Sequence, residues 1–184
     1  MHNQKEKILS TALCLFYENG YDGVSINDIA KAVGISKSTM FHYFENKDAL
    51  FNETFIYCKL LAADFFLASG YEEHADYRVF IEALLLFAFQ HQKEFIFMLD
   101  NESNKHITAA SKAQGLQINQ RSIDCLLRGQ EKGKIIALPA SMLALILSDI
   151  IRDSLPYLCD DGGMNEQHKS EVMDAIIHFV QKDA

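Results

Sequence analysis

The chain has 184 residues, 49% of them hydrophobic, which is enough to build a substantial core in one ordinary domain or two small ones. Seventeen basic residues against 25 acidic ones leave a formal net charge of −8, and this excludes non-specific nucleic-acid binding through a broad basic surface. The four cysteines, Cys14, Cys58, Cys125 and Cys159, are scattered with no CxxC or Cys/His spacing. No zinc site is expected from them, and reduced thiols in a cytoplasmic protein are.

Met1 to Lys7 passes straight into an amphipathic segment, with no basic leader followed by a short apolar stretch, so export is not expected. The most apolar stretch, Ile135 to Leu158, is interrupted by Pro139 and then by Asp149, Arg152 and Asp153, which makes it a buried helix rather than a membrane span. Prolines stand only at 139 and 156, and apolar residues recur at three- and four-residue spacing. The fold class this predicts is all-α, with about nine helices.

A first helix is predicted from about Gln4 to Asn19, with Ile8, Leu9, Ala12, Leu13 and Phe16 on its inner face and Gly20 as its stop. Ser25-Ile26-Asn27-Asp28 has the form of a capping box and opens a second helix through Val33. Gly34 breaks the pattern, and Ser36 is placed to cap a third, short helix to about Tyr43. A longer helix is expected from Asn46 or Lys47 to Ala68. Further helices are expected at about Tyr77 to His91, Lys93 to Asn101, Lys105 to Lys132, Ala140 to Leu158 and Glu166 to Lys182, with breaks at Gly133, Pro139 and Gly162-Gly163.

The segment from Ile29 to Met40 has helix-turn-helix spacing: Ala30, then Gly34 four later, then Met40 six after that. Small Ala30 allows a close helix crossing, Gly34 can take the positive φ that reverses the chain, and Ile35 and Met40 anchor the following helix. Phe41-His42-Tyr43-Phe44-Glu45-Asn46-Lys47-Asp48-Ala49-Leu50 follows at once. Over residues 8–50 the chain resembles the TetR family of transcriptional repressors. The likeness rests on Phe16 and Gly20, on Ser25 before the second helix, on the Gly34-Ile35-Ser36 turn, and on Phe41, Tyr43, Phe44, Lys47 and Leu50. Where the family usually has Tyr, this chain has Phe41.

The resemblance implies that the third helix is a recognition helix. Its candidates to meet base edges or nearby phosphates are Lys37, Ser38, Thr39 and His42, with Ser36 at its cap. Phosphate positioning is expected from Ser25 and the amides that open the second helix, together with Tyr43 and Lys47. Phe41 and Phe44 are read as core. Residues 1–50 hold five lysines against six acids, so binding must come from local placement of charge. A domain division of 1–46 for DNA binding and 47–184 for effector binding and dimerisation is expected.

For the second part, the resemblance implies a homodimer joined through the last two helices, which would read a near-palindromic double-stranded operator. Apolar stripes fit this, and the interface candidates are Ile146, Ile150, Val172, Ile176 and Val180. The middle helices are rich in large apolar side chains, and the candidates to contact a small apolar or aromatic effector are Phe65, Phe87, His91, Met98 and Ser122. His91 and His106 lack a second ligand at metal spacing and a nucleophile-base arrangement, so neither a metal, a cofactor nor enzymatic activity is expected. Asp149 and Arg152 are expected to pair along their helix. The reading is a repressor released from DNA by its effector. The alternatives are a DNA-binding activator or co-regulator without a small-molecule ligand, and a helical protein-interaction module.

Overall fold

The structure is a computed structural model and describes residues 4–70, 76–160 and 163–182. Among the described residues there are nine helices: α1 Gln4–Asn19, α2 Ile26–Val33, α3 Lys37–Tyr43, α4 Lys47–Ala68, α5 Tyr77–Gln90, α6 Gln92–Asn101, α7 Ala109–Glu131, α8 Ala140–Leu158 and α9 Glu166–Val180. The fold is all-α as expected. Its one addition is a two-stranded antiparallel hairpin, β1 Cys159–Asp160 and β2 Gly163–Met164, in register Cys159 to Met164. Gly162, one half of the break expected there, lies outside the described residues.

The chain divides into two compact units, residues 1–61 with 93–117, and residues 62–92 with 118–184. The boundary in α4 therefore falls at residue 61, beyond the functional division drawn at residue 46 from sequence.

In the first unit, Ile8, Leu9, Ala12, Leu13 and Phe16 of α1 are buried with Val24 and with Ile29, Ala30 and Val33 of α2. Lys7 Nζ donates to the Val33 carbonyl at 3.1 Å, which satisfies an end carbonyl of α2 and places a cation at the negative end of that helix. Below this layer the Phe51 ring meets Phe16 edge-on at 4.9 Å and Phe97 at 5.5 Å. Such aromatic pairs add specific geometry to the area they bury.

The start of α7 corrects the sequence reading, which opened that helix at Lys105. Asn104 Oδ1 accepts the His106 amide at 2.9 Å, and Asn52 on α4 donates to the His106 carbonyl and accepts the Thr108 amide, each at 2.8 Å. These contacts commit the backbone of residues 104–108 to a turn. Thr108 Oγ1 then accepts the Ser111 amide at 3.1 Å, and the helix opens at Ala109.

In the second unit, α8 packs on α5 and α9. Phe80, Ile81, Leu84, Leu85 and Phe87 of α5 share the core with Leu143, Leu147, Ile151, Leu155 and Leu158 of α8. The last helix ends at Val180 rather than Lys182. Its reason is a competing pairing, since Gln181 bridges Ile135 and the Lys182 amide donates to the Lys134 carbonyl at 3.2 Å. Asp149 pairs with Arg152 at 3.0 Å, as the sequence suggests.

Candidate nucleic-acid interface

The front of the first unit is built from local signals. Ser25 sits in extended backbone at φ −107°, its Oγ accepts the Asp28 amide at 3.2 Å, and its own amide donates to Asp28 Oδ2 at 2.9 Å. The box is thus closed in both directions, so two of the four amides around the start of α2 are satisfied by side chains. The Ser25 hydroxyl also donates to Asp28 Oδ2 at 2.6 Å, and these bonds hold the Asp28 carboxyl below its ordinary value. Gly34 turns the chain at φ 81°, and its amide and that of Ile35 both return to the Ala30 carbonyl at 3.0 Å. A side chain at that φ would be strained, which explains glycine there.

Ser36 caps α3 by accepting the Thr39 amide at 3.0 Å, and its hydroxyl shares hydrogen bonds of 2.8 Å with the hydroxyls of Ser38 and Thr39. The three hydroxyls form one small network at the front of the helix. A base or phosphate that engages Ser38 or Thr39 draws on the capacity each hydroxyl has left, since a hydroxyl offers one donor and two acceptor sites.

On α3, Met40 is buried while Lys37, Ser38, Phe41, His42 and Tyr43 are exposed. With 100° per residue, Lys37, Phe41, Ser38 and His42 fall on one continuous arc, and Phe41 lies inside it rather than at its edge. Here the structure corrects the sequence reading. Phe44 is core at 2% exposure, but Phe41 is 46% exposed and its ring lies 5.8 Å from Lys37 Nζ, a cation–π pair four residues apart. The signal was available in the helical offset from buried Met40.

Lys47, the first residue of α4, is fixed by an aromatic contact that the sequence did not disclose. Its Nζ lies 3.9 Å from the centre of the Tyr21 ring, and the Tyr21 hydroxyl donates to Asp48 Oδ1 at 2.5 Å. Burial first and that carboxylate second push the Tyr21 phenol up to about 12. His106 stacks on the same ring at 3.7 Å, and its Nδ1 is 3.5 Å from Asp48 Oδ1.

The expected effector contacts separate. Phe65, Phe87, His91 and Ser122 belong to the second unit and Met98 to the first, where it is core. Phe65, Phe87 and His91 do come together, with ring centres 5.0 to 5.8 Å apart. Beside them is an open cavity of about 430 Å³ lined by Phe65, Ser69, Val79, Glu82 and Leu86. Ser122 is half-buried and does not line it.

The dimer candidates also need correction. Val172, Ile176 and Val180 are buried in the chain's own core, where α9 packs on α8, so that stripe is spent within one molecule. Ile146 and Ile150 remain half-buried, and the apolar side chains left exposed on these two helices are Met142 at 50%, Leu145 at 54%, Tyr157 at 49% and Phe179 at 42%. Among the described residues no group of three or more His, Cys, Asp or Glu is arranged to hold a metal, and no helix is long and apolar enough to cross a membrane.

Comparison with known proteins gives this geometry a context. The chain is similar to the biofilm operon icaADBC HTH-type negative transcriptional regulator IcaR of Staphylococcus epidermidis, 31% identical over 109 residues. The match takes in 59% of this chain and 54% of that regulator, so the chain spans about half the length of the curated relatives it matches. In fold it is similar to a TetR family transcription regulator of Marinobacter aquaeolei VT8, with a TM-score of 0.82 at 18% identity, covering 98% of this chain and 96% of the other. It is also similar to AibR, solved in complex with isovaleryl coenzyme A and operator DNA, with a TM-score of 0.73 at 19% identity over 97% and 98% of the two chains. The sequence pattern of the bacterial regulatory proteins of the tetR family matches residues 8–54. Those residues carry the capped helices and the Gly34 turn described above, and through them the front of the chain is similar to the bacterial tetR family of regulatory proteins.

Proposed function

We propose that this chain is a sequence-specific, homodimeric repressor of transcription that binds operator DNA through α2 and α3 and is released by a small molecule. The observation that carries the reading is the exposed arc of α3, with Lys37, Ser38, Phe41 and His42 standing out from a helix anchored by Met40. Base edges are met by Lys37, Ser38, Thr39 and His42. Phosphates are met by Ser25, Ser36, Tyr43, Lys47 and the amides opening α2, while Ala30, Gly34, Ile35 and Met40 hold the two helices in place. Residues 1–46 are the DNA-binding part and residues 47–184 the effector and dimer part. Binding rather than catalysis is the activity, in the cytoplasm. The negative regulator among its relatives supports repression over activation.

The effector is small and apolar or aromatic and is taken up within the second unit, at the cavity beside Phe65, Phe87 and His91. Two subunits meet through the α8 and α9 faces that carry Ile146, Ile150, Met142, Leu145 and Phe179. Val172, Ile176 and Val180 support that surface from beneath. Linkage gives the switch: a ligand that prefers the non-binding state by a few kcal/mol lowers operator affinity by the corresponding factor, and DNA lowers ligand affinity equally.

The test is a mobility-shift titration of the dimeric protein against the DNA upstream of its own gene and of its neighbours. A sequence-dependent, salt-sensitive shift is expected. Its absence with a folded dimer overturns the reading.

A further inference from the structure

We propose that a cavity of about 630 Å³ in the second unit, at the start of α5, is a binding site for a small phosphate-bearing anion held by Arg78, Lys134 and Lys182. The site lies apart from the Phe65 cavity in its lining residues and does not depend on DNA binding.

Among the described residues, three basic residues line this cavity with one acidic residue, Asp76, in a chain whose net charge is −8. Among the described residues none of the three is in an ion pair, whereas Lys169 in the same unit is paired with Glu82 at 2.8 Å. The carboxylate is engaged as the cap of α5, where Asp76 Oδ1 accepts the Arg78 amide at 2.9 Å. Like charges gathered in one place repel one another, and a bound anion relieves this cost.

The backbone fixes where the charges stand. Gly133 turns at φ 65°, so the Lys134 amide donates to the Gly129 carbonyl at 3.0 Å. The Lys134 carbonyl accepts the Lys182 amide at 3.2 Å, and the Ile136 amide donates to the Val180 carbonyl at 2.8 Å. Lys134 and Lys182 are thereby held side by side on paired segments, and both use main-chain atoms for this, leaving their ammonium groups for a ligand. Arg78 Nε donates to the Tyr77 hydroxyl at 3.4 Å, which leaves its two terminal nitrogens for a bidentate oxyanion. Gln181 adds a carboxamide, and the positive end of the 14-residue α5 adds its dipole.

The chemistry that matches is a tetrahedral dianion with several acceptor oxygens, because a monocarboxylate would neutralise only one of three cations. The volume exceeds that of phosphate itself and suits a phosphorylated organic molecule, since ligand sites span roughly 300–1,000 Å³.

Isothermal titration of the full chain with pyrophosphate, at fixed ionic strength, is the test. Saturable binding of one pyrophosphate per chain is expected, and the double variant Lys134→Ala with Lys182→Ala should bind at least about tenfold more weakly. Lys112→Ala, on α7, should bind as the unaltered chain does. If the double variant melts early in probe-free buffer, Arg78→Gln replaces it, with the same expected loss. No saturable binding, equal binding by the folded variants, or an equal loss in Lys112→Ala overturns the proposal. Because DNA is absent, none of these outcomes depends on whether the chain is a repressor.

Discussion

The ammonium of Lys47 lies 3.9 Å from the centre of the Tyr21 ring, and His106 stacks on that ring at 3.7 Å. Two groups this close cannot share one face, so the phenol is held between an ammonium and an imidazole. The ring therefore orients Lys47 before any partner arrives, which lowers the side-chain ordering cost of a phosphate contact. Lys47→Ala should weaken DNA binding several-fold and to a similar extent on all sequences, and should lower the slope of log K against log salt by about 1 for each phosphate no longer neutralised. Tyr21→Leu keeps the charge but frees the lysine, so a smaller loss with an unchanged slope is expected. An unchanged slope in Lys47→Ala would remove that residue from the interface.

The capping box at α2 makes stability depend on acid. Asp28 is held below the ordinary carboxylate range by its bonds from Ser25, so folding favours its ionised form. A depressed carboxyl contributes stability above its unfolded pKa and loses that contribution as pH falls through its folded value. Asp28→Asn should therefore melt below the unaltered chain at neutral pH, with the difference closing once the pH falls below the usual carboxylate range of about 4. Ser25→Ala, which removes the cap oxygen itself, should cost about 1 kcal/mol at neutral pH. A gap in Asp28→Asn that persists undiminished into acid would contradict this account.

The front helices were legible because their signals are local. Ser25 with Asp28, Gly34, and Ser36 each act within a few residues, so the pattern that predicts the cap also makes it. The start of α7 was not, because His106 and Thr108 give backbone groups to Asn52, more than 50 residues away in sequence. Periodicity found the stripe of Val172, Ile176 and Val180, yet an apolar stripe looks the same whether it meets its own chain or another. Phe41 was misjudged by residue type alone, when its offset from Met40 places it on the exposed arc. The Tyr21 contacts to Lys47 and Asp48 also join segments 26 and 27 residues apart, and spacing carries no trace of them.

Lys59 offers a test of the first unit's interior. It is 5% exposed, forms an ion pair with Glu102, and has its Nζ 5.2 Å from the Phe55 ring centre. Removing one partner of a buried pair leaves an uncompensated charge, at about 3–5 kcal/mol, but the Glu102 side chain is 33% exposed and water relieves part of this. Glu102→Ala should cost about 1–3 kcal/mol in denaturant unfolding, and Lys59→Met, which keeps the volume and removes the charge, should cost less. If Lys59→Met proves the more damaging change, the ammonium contributes net stability where it sits.

Phe41 tests the proposed reading of DNA sequence by α3. Its ring is exposed on the arc shared with Lys37, Ser38 and His42, and unlike tyrosine it brings no hydroxyl for a phosphate. What an apolar ring can recognise in a major groove is the thymine methyl, the one apolar group that a base edge presents there. On a duplex selected for tight binding, replacing individual thymines by uracil removes that methyl and leaves every hydrogen-bonding group in place. One such substitution in each half-site removes two methyls and should weaken the unaltered protein by about 2 kcal/mol, since one buried methyl group is worth about 1 kcal/mol. Phe41→Ala should bind more weakly overall and be indifferent to that substitution. Phe41→Tyr should retain the discrimination, because the ring remains. If Phe41→Ala still distinguishes thymine from uracil as strongly as the unaltered protein, the methyl is read by another residue, and Thr39, whose own methyl stands on the same helix, becomes the one to replace.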